Sequence, residues 1–318
     1  MLDQLALAGL IPVIKVERAE DAVPLCRALS KGGLPVAEIT FRTAAAEEAI
    51  RLVHQELPEV LLGAGTVLTP EQADKAAAAG AGYIVSPGLN PRVVRHCLQK
   101  GYPILPGCSS PSDIELALEL GLTAVKFFPA EALGGVNMIK ALLGPYGGMK
   151  LVPTGGINTQ NLHDYLSIKN VLACGGSWMV PDDAVKSGDW ARVERLTAEA
   201  VTLMLGLQIR HIGINQRDAR EAMDNARKLS MLTGWAIEND TDASCFIGTG
   251  LEMMKHKGRG THGHIALATR SIPRAMWHME RRGFAFDKYS AAYTPAGQLR
   301  LIYLEGEFAG FGIHLSQI

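Results

Sequence analysis

The chain has 318 residues, of which 47% are hydrophobic and 20% are charged, and its formal net charge is −1. This length allows two domains, or one barrel with an appendage. A net charge so close to zero provides no global field for nucleic acid or for an anionic membrane surface, so neither is expected as a partner. No apolar run approaches the length of a membrane span, and the N-terminus, with Asp3 and no basic segment, is unlike a signal peptide.

The five cysteines are odd in number, scattered and without CxxC spacing. This pattern argues against a disulfide framework and against a thiolate zinc site, and it is typical of the reducing cytoplasm, where we expect the protein to reside. We interpret these cysteines as small buried apolar side chains. They are Cys26, Cys97, Cys108, Cys174 and Cys245.

Residues 1 to about 205 repeat one rhythm, in which a short β-branched run ends in polar or glycine residues and a helix-period segment follows. Eight such runs predict a parallel sheet, and eight is the number of strands that closes a (β/α)8 TIM barrel. A doubly wound open sheet is the alternative. The predicted strands are Ile11–Lys15, Val36–Thr40, Leu61–Gly63, Tyr83–Ser86, Pro103–Leu105, Ala124–Phe128, Leu151–Pro153 and Val171–Cys174. The predicted helices include Glu20–Lys31, Ala44–Leu57, Pro70–Ala79 and Pro91–Lys100.

The character of the sequence changes after Trp190, where a helical segment, Arg192–Leu205, leads into a strand-like run, Leu207–Asn215. A weak internal repeat follows, and each copy reads as a strand, a helix and two or three strands. Two such units, neither able to bury its face alone, are predicted to pair into one small α+β domain. The matching segments are His211–Ile214 with His264–Leu267, Gly234–Glu238 with Gly283–Asp287, and Phe246–Glu252 with Phe308–His314. We interpret the aromatic residues of the repeat as core: Trp235, Phe246, Phe284, Phe308 and Phe311.

Lys126 stands near the end of an apolar strand-like run, Ala124–Phe128. An ammonium group is costly to desolvate, so this lysine either extends to water, forms an ion pair or is held neutral. A neutral lysine amine attacks a ketone to form a Schiff base. In a barrel the chemistry lies at the carboxyl ends of the strands, which makes Lys126 the candidate nucleophile.

Other strand ends carry groups that complement a reacting ketone. Glu38 lies in an apolar strand, where a carboxyl group favours its protonated form and suits proton transfer; a structural ion pair is the alternative. Arg42 can contact a carboxylate with two hydrogen bonds, and Thr66 adds a hydroxyl donor. The glycine pairs Gly155-Gly156 and Gly175-Gly176, the second followed by Ser177, follow the seventh and eighth strands, where barrels commonly bind phosphate through backbone N–H groups. Such a site needs no metal.

These motifs occur in the order in which they stand in the bacterial KDPG/KHG aldolases, which the chain resembles over residues 5–205. The resemblance implies a class I aldehyde-lyase that cleaves 2-keto-3-deoxy-6-phosphogluconate to pyruvate and glyceraldehyde 3-phosphate, with 4-hydroxy-2-oxoglutarate as a second candidate substrate. A related aldolase for another 2-keto-3-deoxy acid, such as phosphogalactonate, is the alternative. The motifs are Glu38–Thr43, Gly63–Val67, Ser86–Gly88, Lys126–Glu131, Pro153–Ile157 and Gly175–Trp178.

The same resemblance implies a role for each residue. Lys126 would form the Schiff base, Glu38 would act as general acid and base, and Phe128 would pack beside the iminium. Arg42 and Thr66 would hold the pyruvyl carboxylate. No cofactor is expected for the aldolase, and a homotrimer is the expected assembly. The residues implied at the far end of the substrate are Thr154, Gly155, Gly156, Gly176 and Ser177.

Residues 206–318 resemble the vicinal oxygen chelate superfamily, to which glyoxalases and extradiol dioxygenases belong. The resemblance places His211, Glu252, His264 and His314 at the metal-ligand positions, a set suited to a divalent transition metal. The superfamily often has glutamate where His314 stands. We therefore predict a barrel over residues 1–205 and a glyoxalase-like accessory domain over 206–318. The tail would have a metal-dependent activity of its own, or would serve regulation or assembly without catalysis.

Overall fold

A computed structural model describes all 318 residues and divides into two compact units, Met1–Met204 and Leu205–Ile318. We refer to them as the first and second units. Each contains one sheet of eight strands. None of the helices combines the length and the apolar character that crossing a bilayer requires.

The first unit is a barrel of eight parallel strands. Their order is β7-β6-β5-β4-β3-β2-β1-β8, and isolated bridges between Leu151 and Val171 and between Thr154 and Gly175 join the β7 and β8 segments. The ring therefore closes, which confirms the predicted (β/α)8 barrel and excludes the open sheet. The strands are β1 (Leu10–Ile14), β2 (Val36–Thr40), β3 (Leu61–Gly65), β4 (Tyr83–Ser86), β5 (Ile104–Cys108), β6 (Ala124–Phe127), β7 (Lys150–Pro153) and β8 (Cys174–Gly176).

Helices alternate with these strands. Three of them begin with the same device: Thr69, Asn90 and Ser110 each accept a hydrogen bond from a backbone N–H two or three residues further on, and each is followed by proline. These caps end the loops that leave the carboxyl ends of β3, β4 and β5. The helices are α1 (Leu2–Ala8), α2 (Ala22–Lys31), α3 (Ala46–Glu56), α4 (Pro70–Ala78), α5 (Pro91–Lys100), α6 (Pro111–Glu119), α7 (Gly135–Leu143), α8 (Leu162–Leu166), α9 (Asp182–Ser187) and α10 (Trp190–Leu205), with 3-10 turns at Ala19–Asp21 and Glu131–Leu133.

The eighth strand differs from its prediction. Val171 makes only an isolated bridge, and the residues that pair with β1 are Cys174, Gly175 and Gly176. Glycine disfavours strands, so the sequence pattern pointed to the β-branched residue instead. The glycines are accommodated because neighbouring side chains occupy their missing Cβ positions: the Thr154 hydroxyl beside Gly175 and the Trp178 ring beside Gly176.

The second unit consists of two strand–helix–three-strand copies, in agreement with the predicted repeat. The copies join through antiparallel pairing of β9 with β13, in the sheet order β10-β11-β12-β9-β13-β16-β15-β14. The first copy comprises β9 (Gln208–Asn215), α11 (Ala219–Thr233), β10 (Ile237–Glu238), β11 (Ser244–Ile247) and β12 (Leu251–Met254). The second comprises β13 (Gly263–Thr269), α12 (Ile272–Glu280), β14 (Phe286–Tyr293), β15 (Leu299–Leu304) and β16 (Phe311–Gln317).

Strand alternation assigns the two faces of the first copy's sheet. Cys245, Ile247 and Met253 pack with Ala222 and Ala226 of α11 in a buried cluster. Successive side chains point to opposite faces, so Ser244, Phe246 and Glu252 face away from this helix. The five cysteines of the chain are buried and form no disulfide bond, as we interpreted them.

Three of the repeat's aromatic residues are exposed, so their interpretation as core was wrong. Trp235, Phe284 and Phe308 are 50%, 40% and 41% exposed. The first two directly follow the glycines after α11 and α12, and the third lies in the turn before β16. These three aromatic residues therefore lie in turns of the repeat and do not belong to its buried core.

Candidate functional site

Lys126 and Glu38 meet inside the barrel. Lys126 Nζ lies 3.3 Å from Glu38 Oε1, and the two residues are only 6% and 2% exposed. The lysine side chain therefore does not extend its amino group into water. Each residue had an ion pair as its alternative interpretation, and the two residues form that pair with each other.

Glycine in β3 makes room for this contact. Glu38 on β2 pairs in register with Gly63, and a Cβ at Gly65 would lie 2.4 Å from Glu38 Oε1. Real Cβ atoms do not approach so closely, so the carboxylate can lie across β3 only because this position is glycine. Gly107 on β5 likewise pairs with Lys126 on β6.

A buried lysine–glutamate pair has a chemical option that a surface pair lacks. Transfer of one proton from the ammonium to the carboxylate leaves two neutral groups, which removes the cost of two buried charges. The neutral amine is the nucleophile for a ketone, and the protonated carboxyl is a general acid within hydrogen-bond distance of it. The geometry thus suits Schiff-base formation.

Phe128 lies directly after β6, two residues beyond Lys126. Its ring centroid lies 5.3 Å from Lys126 Nζ, so the ring face is available to a cationic nitrogen at this position. The same attraction would act on an iminium formed from the lysine.

Arg42 and Thr66 lie just beyond the carboxyl ends of β2 and β3. Arg42 is exposed, and its Nε donates to Thr40 Oγ1 at 3.1 Å; Thr40 in turn donates to the carbonyl oxygen of Ile14 at 2.8 Å. Thr66 has a φ of 58°, a left-handed conformation that threonine rarely adopts. Such outliers cluster at functional sites.

The residues proposed for the far end of a substrate follow β7 and β8. Gly155 and Gly156 have φ values of 100° and 80°, which only glycine adopts without strain. Thr154 is buried, whereas Ser177 is exposed at the barrel mouth. Gly176 has a packing reason to be glycine, because the Trp178 ring lies against it.

Tyr83 on β4 is a neighbour of the site that sequence reasoning missed. Its ring lies over Gly63, where an added Cβ would come within 2.2 Å of its Cζ atom. Burial, and then the charge of Glu38, raise the pKa of its phenol well above the ordinary value. The hydroxyl is buried and has no hydrogen-bond partner. Only the register of β2, β3 and β4 reveals this proximity.

In the second unit, the four predicted metal-ligand residues come together on one face of the sheet. The imidazole nitrogens of His211, His264 and His314 lie within 4.8 Å of one another. His211 Nε2 is 3.1 Å from His264 Nε2, and Glu252 Oε2 is 3.3 Å and 3.1 Å from these two atoms. The other oxygen of Glu252 accepts a 2.5 Å hydrogen bond from Ser244, a residue the sequence did not single out.

Two cross-strand rows explain this convergence. His211, Ala266 and His314 form one row across β9, β13 and β16, and Tyr303 on β15 continues it. Glu252, Gly213 and His264 form the next row. Residues with small side chains alternate with the imidazoles, and a Cβ at Gly213 would lie 2.1 Å from the His264 ring.

His211, His314 and Glu252 have the protonation states that a metal requires. Burial, together with His264, lowers the pKa of His314 to about 4, and burial also lowers the pKa of His211. Burial acts to raise the pKa of Glu252, but hydrogen bonds from His264 and Ser244 outweigh it, and the pKa is lowered. His211 and His314 are therefore neutral near pH 7 and Glu252 is ionised, as metal ligands must be.

A cavity of about 920 Å3 opens above this cluster. Its wall includes Phe246, whose ring contacts His211 edge to face at 5.4 Å, and Tyr303, which lies 4.8 Å from His314. Phe246 thus lines the cavity and is not a core residue. The remaining lining residues are Arg210, Glu238, Asn239, Gly248, Thr249, Arg300, Leu301, Ser316 and Gln317.

Comparison with known proteins identifies the family to which the first unit is similar. A family model described as KDPG and KHG aldolase matches residues 2–196. The 2-dehydro-3-deoxy-phosphogluconate aldolase of Treponema pallidum (strain Nichols) is 53% identical over 204 residues, which cover 64% of this chain and 97% of that protein. The KHG/KDPG aldolase of Escherichia coli (strain K12) is 45% identical over 197 residues, covering 62% and 92%.

A solved structure gives the same result. KDPG aldolase from Legionella pneumophila, crystallised with pyruvate captured as a covalent carbinolamine intermediate, matches with a TM-score of 0.61 and 40% sequence identity. The match covers 63% of this chain and 97% of that one. Residues beyond 196 lie outside the family match, so the second unit is interpreted from its own geometry.

Proposed function

Because this chain belongs to the KDPG and KHG aldolase family, we propose that its first unit cleaves 2-keto-3-deoxy-6-phosphogluconate to pyruvate and glyceraldehyde 3-phosphate through a Schiff base on Lys126. The observation that carries this proposal is the buried 3.3 Å contact between Lys126 Nζ and Glu38 Oε1. It supplies a nucleophilic amine and a proton carrier at one point of the barrel mouth. The reaction belongs to the Entner–Doudoroff route of carbohydrate metabolism.

The proposed reaction begins with attack of the Lys126 amine on the substrate ketone. Glu38 moves a proton to the resulting oxygen, and water leaves as the iminium forms. The Glu38 carboxylate then accepts the C4 hydroxyl proton as the C3–C4 bond breaks, and the bonding electrons pass into the iminium to give an enamine. The aldehyde departs, Glu38 protonates the enamine carbon, and hydrolysis releases pyruvate and the free lysine.

The other strand-end residues are proposed to hold the substrate during these steps. Arg42 and Thr66 would bind the pyruvyl carboxylate, and Phe128 would pack beside the iminium. The far end would be bound by Thr154, Gly155, Gly156, Gly176 and Ser177. The positive φ of the first two of these glycines supports the proposal, since such turns expose backbone N–H groups to an anion.

Borohydride trapping tests the Schiff base. Pyruvate and borohydride together are expected to add one stable adduct, located by peptide mapping on Lys126, and a Lys126→Arg variant is expected to acquire none. An adduct on another lysine, or no adduct, contradicts the proposal.

Substrate preference is tested with a panel of phosphorylated and unphosphorylated 2-keto-3-deoxy acids, which includes phosphogalactonate and 4-hydroxy-2-oxoglutarate. We expect 2-keto-3-deoxy-6-phosphogluconate to have the highest kcat/KM. A higher value for phosphogalactonate would support the alternative aldolase.

For the second unit we propose a glyoxalase-like accessory domain that holds a divalent transition metal on His211, Glu252, His264 and His314. Two donors bonded to one ion at about 2.1 Å lie about 3.0–3.4 Å apart, depending on geometry. The contacts among His211, His264 and Glu252 fall at 3.1–3.3 Å. Ser244 would orient Glu252 from behind, as partners of metal ligands commonly do. The metal would act as a Lewis acid toward a ligand in the cavity.

Metal analysis of protein purified without chelators tests this site. We expect about one equivalent of metal in the wild type and in the His256→Ala control, whose histidine is exposed and outside the cluster. The His264→Ala variant is expected to lose it. Absence of metal from the wild type, and failure to load Co²⁺ or Mn²⁺, would contradict the proposal.

A second role for the tail is assembly or regulation without catalysis. By family resemblance we propose a homo-oligomer, most simply a trimer, and cysteines without disulfide bonds support a cytoplasmic location. Light scattering and aldolase kinetics of the full chain and of residues 1–204 test the role of the tail. Equal association state and equal kinetics would contradict it.

A further inference from the structure

Two arginines line the cavity above the proposed metal ligands and have no acidic partner. Arg210 and Arg300 are exposed, and neither forms an ion pair with a carboxylate. Arg210 makes one hydrogen bond, to the carbonyl oxygen of Gln317 at 3.1 Å. Three other arginines of this unit do form such ion pairs: Arg217 with Glu221, Arg227 with Asp224 and Arg259 with Asp287.

The charge of the cavity favours an anion. Arg210 and Arg300 contribute two positive charges, and Glu238 and Glu252 contribute two negative ones. The Glu252 carboxylate is engaged by two imidazoles and Ser244 and would be neutralised by a divalent metal. A loaded cavity therefore carries an excess of positive charge, which attracts anions and rejects cations.

The remaining wall indicates the body of the ligand. Phe246, Leu301 and Tyr303 provide apolar and aromatic surface, and a cavity of about 920 Å3 is within the range of small-molecule sites. The guanidinium groups can bind an acidic group, and the apolar surface can pack against a carbon skeleton. The cavity therefore suits a molecule that carries both.

We propose that the cavity of the second unit binds a small organic acid whose carboxylate or phosphate contacts Arg210 and Arg300 and whose carbon skeleton packs on Phe246, Leu301 and Tyr303. This inference rests on the metal site proposed above for the floor of the same cavity. It assigns the second unit an anionic ligand of its own, separate from the keto acid of the barrel.

Calorimetric titration of the full chain with three probes tests the inference. Phenylacetate and phenyl phosphate carry the two candidate anions, and phenylacetamide is the neutral analogue. None has a ketone, so none reacts with Lys126. We expect at least one anion to bind about tenfold more tightly than the amide, as the loss of a charge-assisted hydrogen bond predicts. Which anion binds better distinguishes a carboxylate ligand from a phosphate ligand.

The variants locate the binding site. Arg210→Gln and Arg300→Gln are each expected to weaken anion binding about tenfold without changing metal content. Arg282→Gln is the matched control, because this arginine is exposed and does not line the cavity. Equal affinity for the anion and the amide, or wild-type affinity in the double variant Arg210→Gln/Arg300→Gln, overturns the inference.

Metal content is measured before any probe is added, so the two proposals can fail separately. If the protein loads no metal but anion binding still depends on both arginines, the anion site stands and the metal site falls. If metal loads and no anion binds, the anion site falls and the metal site stands. The same titration of chelator-treated protein measures how much of the affinity comes from the ion.

Discussion

At the scale of single residues, the barrel places one buried carboxyl group next to one buried amino group. In the proposed reaction Glu38 is not a passive counter-ion, because it transfers a proton in carbinolamine formation, in C–C cleavage and in protonation of the enamine. The proposed cycle therefore requires both Lys126 and Glu38. The contact between them is therefore the place to test the mechanism.

Glu38→Gln is expected to lower kcat by about 10²–10⁴-fold, the usual contribution of general acid–base catalysis. The amide has a similar shape and can still contact Lys126, so the dissociation constant for pyruvate should change much less. Steady-state kinetics and pyruvate binding measure the two effects. A large loss of pyruvate binding with little change in kcat would assign Glu38 to positioning instead.

Arg42→Lys is expected to raise KM about tenfold, because an ammonium group cannot reproduce the two parallel hydrogen bonds of a guanidinium to a carboxylate. Arg95→Lys on α5, also exposed, is the control and should leave KM unchanged. Steady-state kinetics on the keto-acid substrate decide the matter. A wild-type KM in the Arg42 variant removes this residue from the carboxylate site.

Tyr83→Phe is expected to raise the free energy of unfolding by about 1 kcal/mol, because it removes a buried hydroxyl that has no hydrogen-bond partner. Tyr165 is the matched control: it is equally buried, but its hydroxyl donates to Glu131. Tyr165→Phe should lower the stability by a similar amount. Denaturant unfolding measures both variants, and destabilisation by Tyr83→Phe would show that its hydroxyl is satisfied in solution.

At the scale of elements, strand pairing brings together side chains that are far apart in the chain. The histidines of β9, β13 and β16 are far apart in the chain and meet because the two copies of the repeat pair through β9 and β13. Small residues between them are equally necessary. In the barrel the same relation holds, since the glycines of β3 leave the space into which Glu38 and Tyr83 extend.

Gly213→Ala is expected to lower the affinity of the second unit for metal by at least about tenfold, because the new methyl group would overlap the His264 ring and displace it. Gly250→Ala is the control: its Cβ would meet no atom within 4 Å, and its φ is not in the left-handed region. Titration with Co²⁺, followed by its visible absorption, measures the affinity. Equal affinities in the two variants would show that His264 is not a ligand.

At the scale of the whole molecule, the two proposed chemistries use separate sets of residues. All residues proposed for the aldolase lie in the first unit, and all proposed metal ligands lie in the second. Schiff-base cleavage needs no Lewis acid, since the iminium is its own electron sink. A metal that binds the folded state and not the unfolded state stabilises the unit that holds it.

Removal of metal by chelator is therefore expected to lower the unfolding temperature of the second unit and to leave the aldolase kcat unchanged. Differential scanning calorimetry and aldolase kinetics on the same sample measure the two effects, and re-addition of metal should restore the unfolding temperature. An aldolase rate that falls on chelation and recovers on re-addition would contradict the separation of the two chemistries.

The amino-acid sequence by itself determined the alternation of strands and helices, the eight-strand barrel, the internal repeat and the family motifs. These features depend on local periodicity and on residues close together in the chain, such as Lys126 with Phe128 or Gly155 with Gly156. The apolar pattern could not distinguish Val171 from Cys174–Gly176 as the eighth strand, because glycine carries no strand signal of its own.

Only the tertiary structure decided which distant side chains touch. The 3.3 Å contact of Lys126 with Glu38, the unpartnered hydroxyl of Tyr83, and the support of Glu252 by Ser244 all depend on strand register. Register is set by pairing between segments far apart in sequence, and a shift of one residue would turn each of these side chains to the opposite face. No local pattern in the chain encodes that choice.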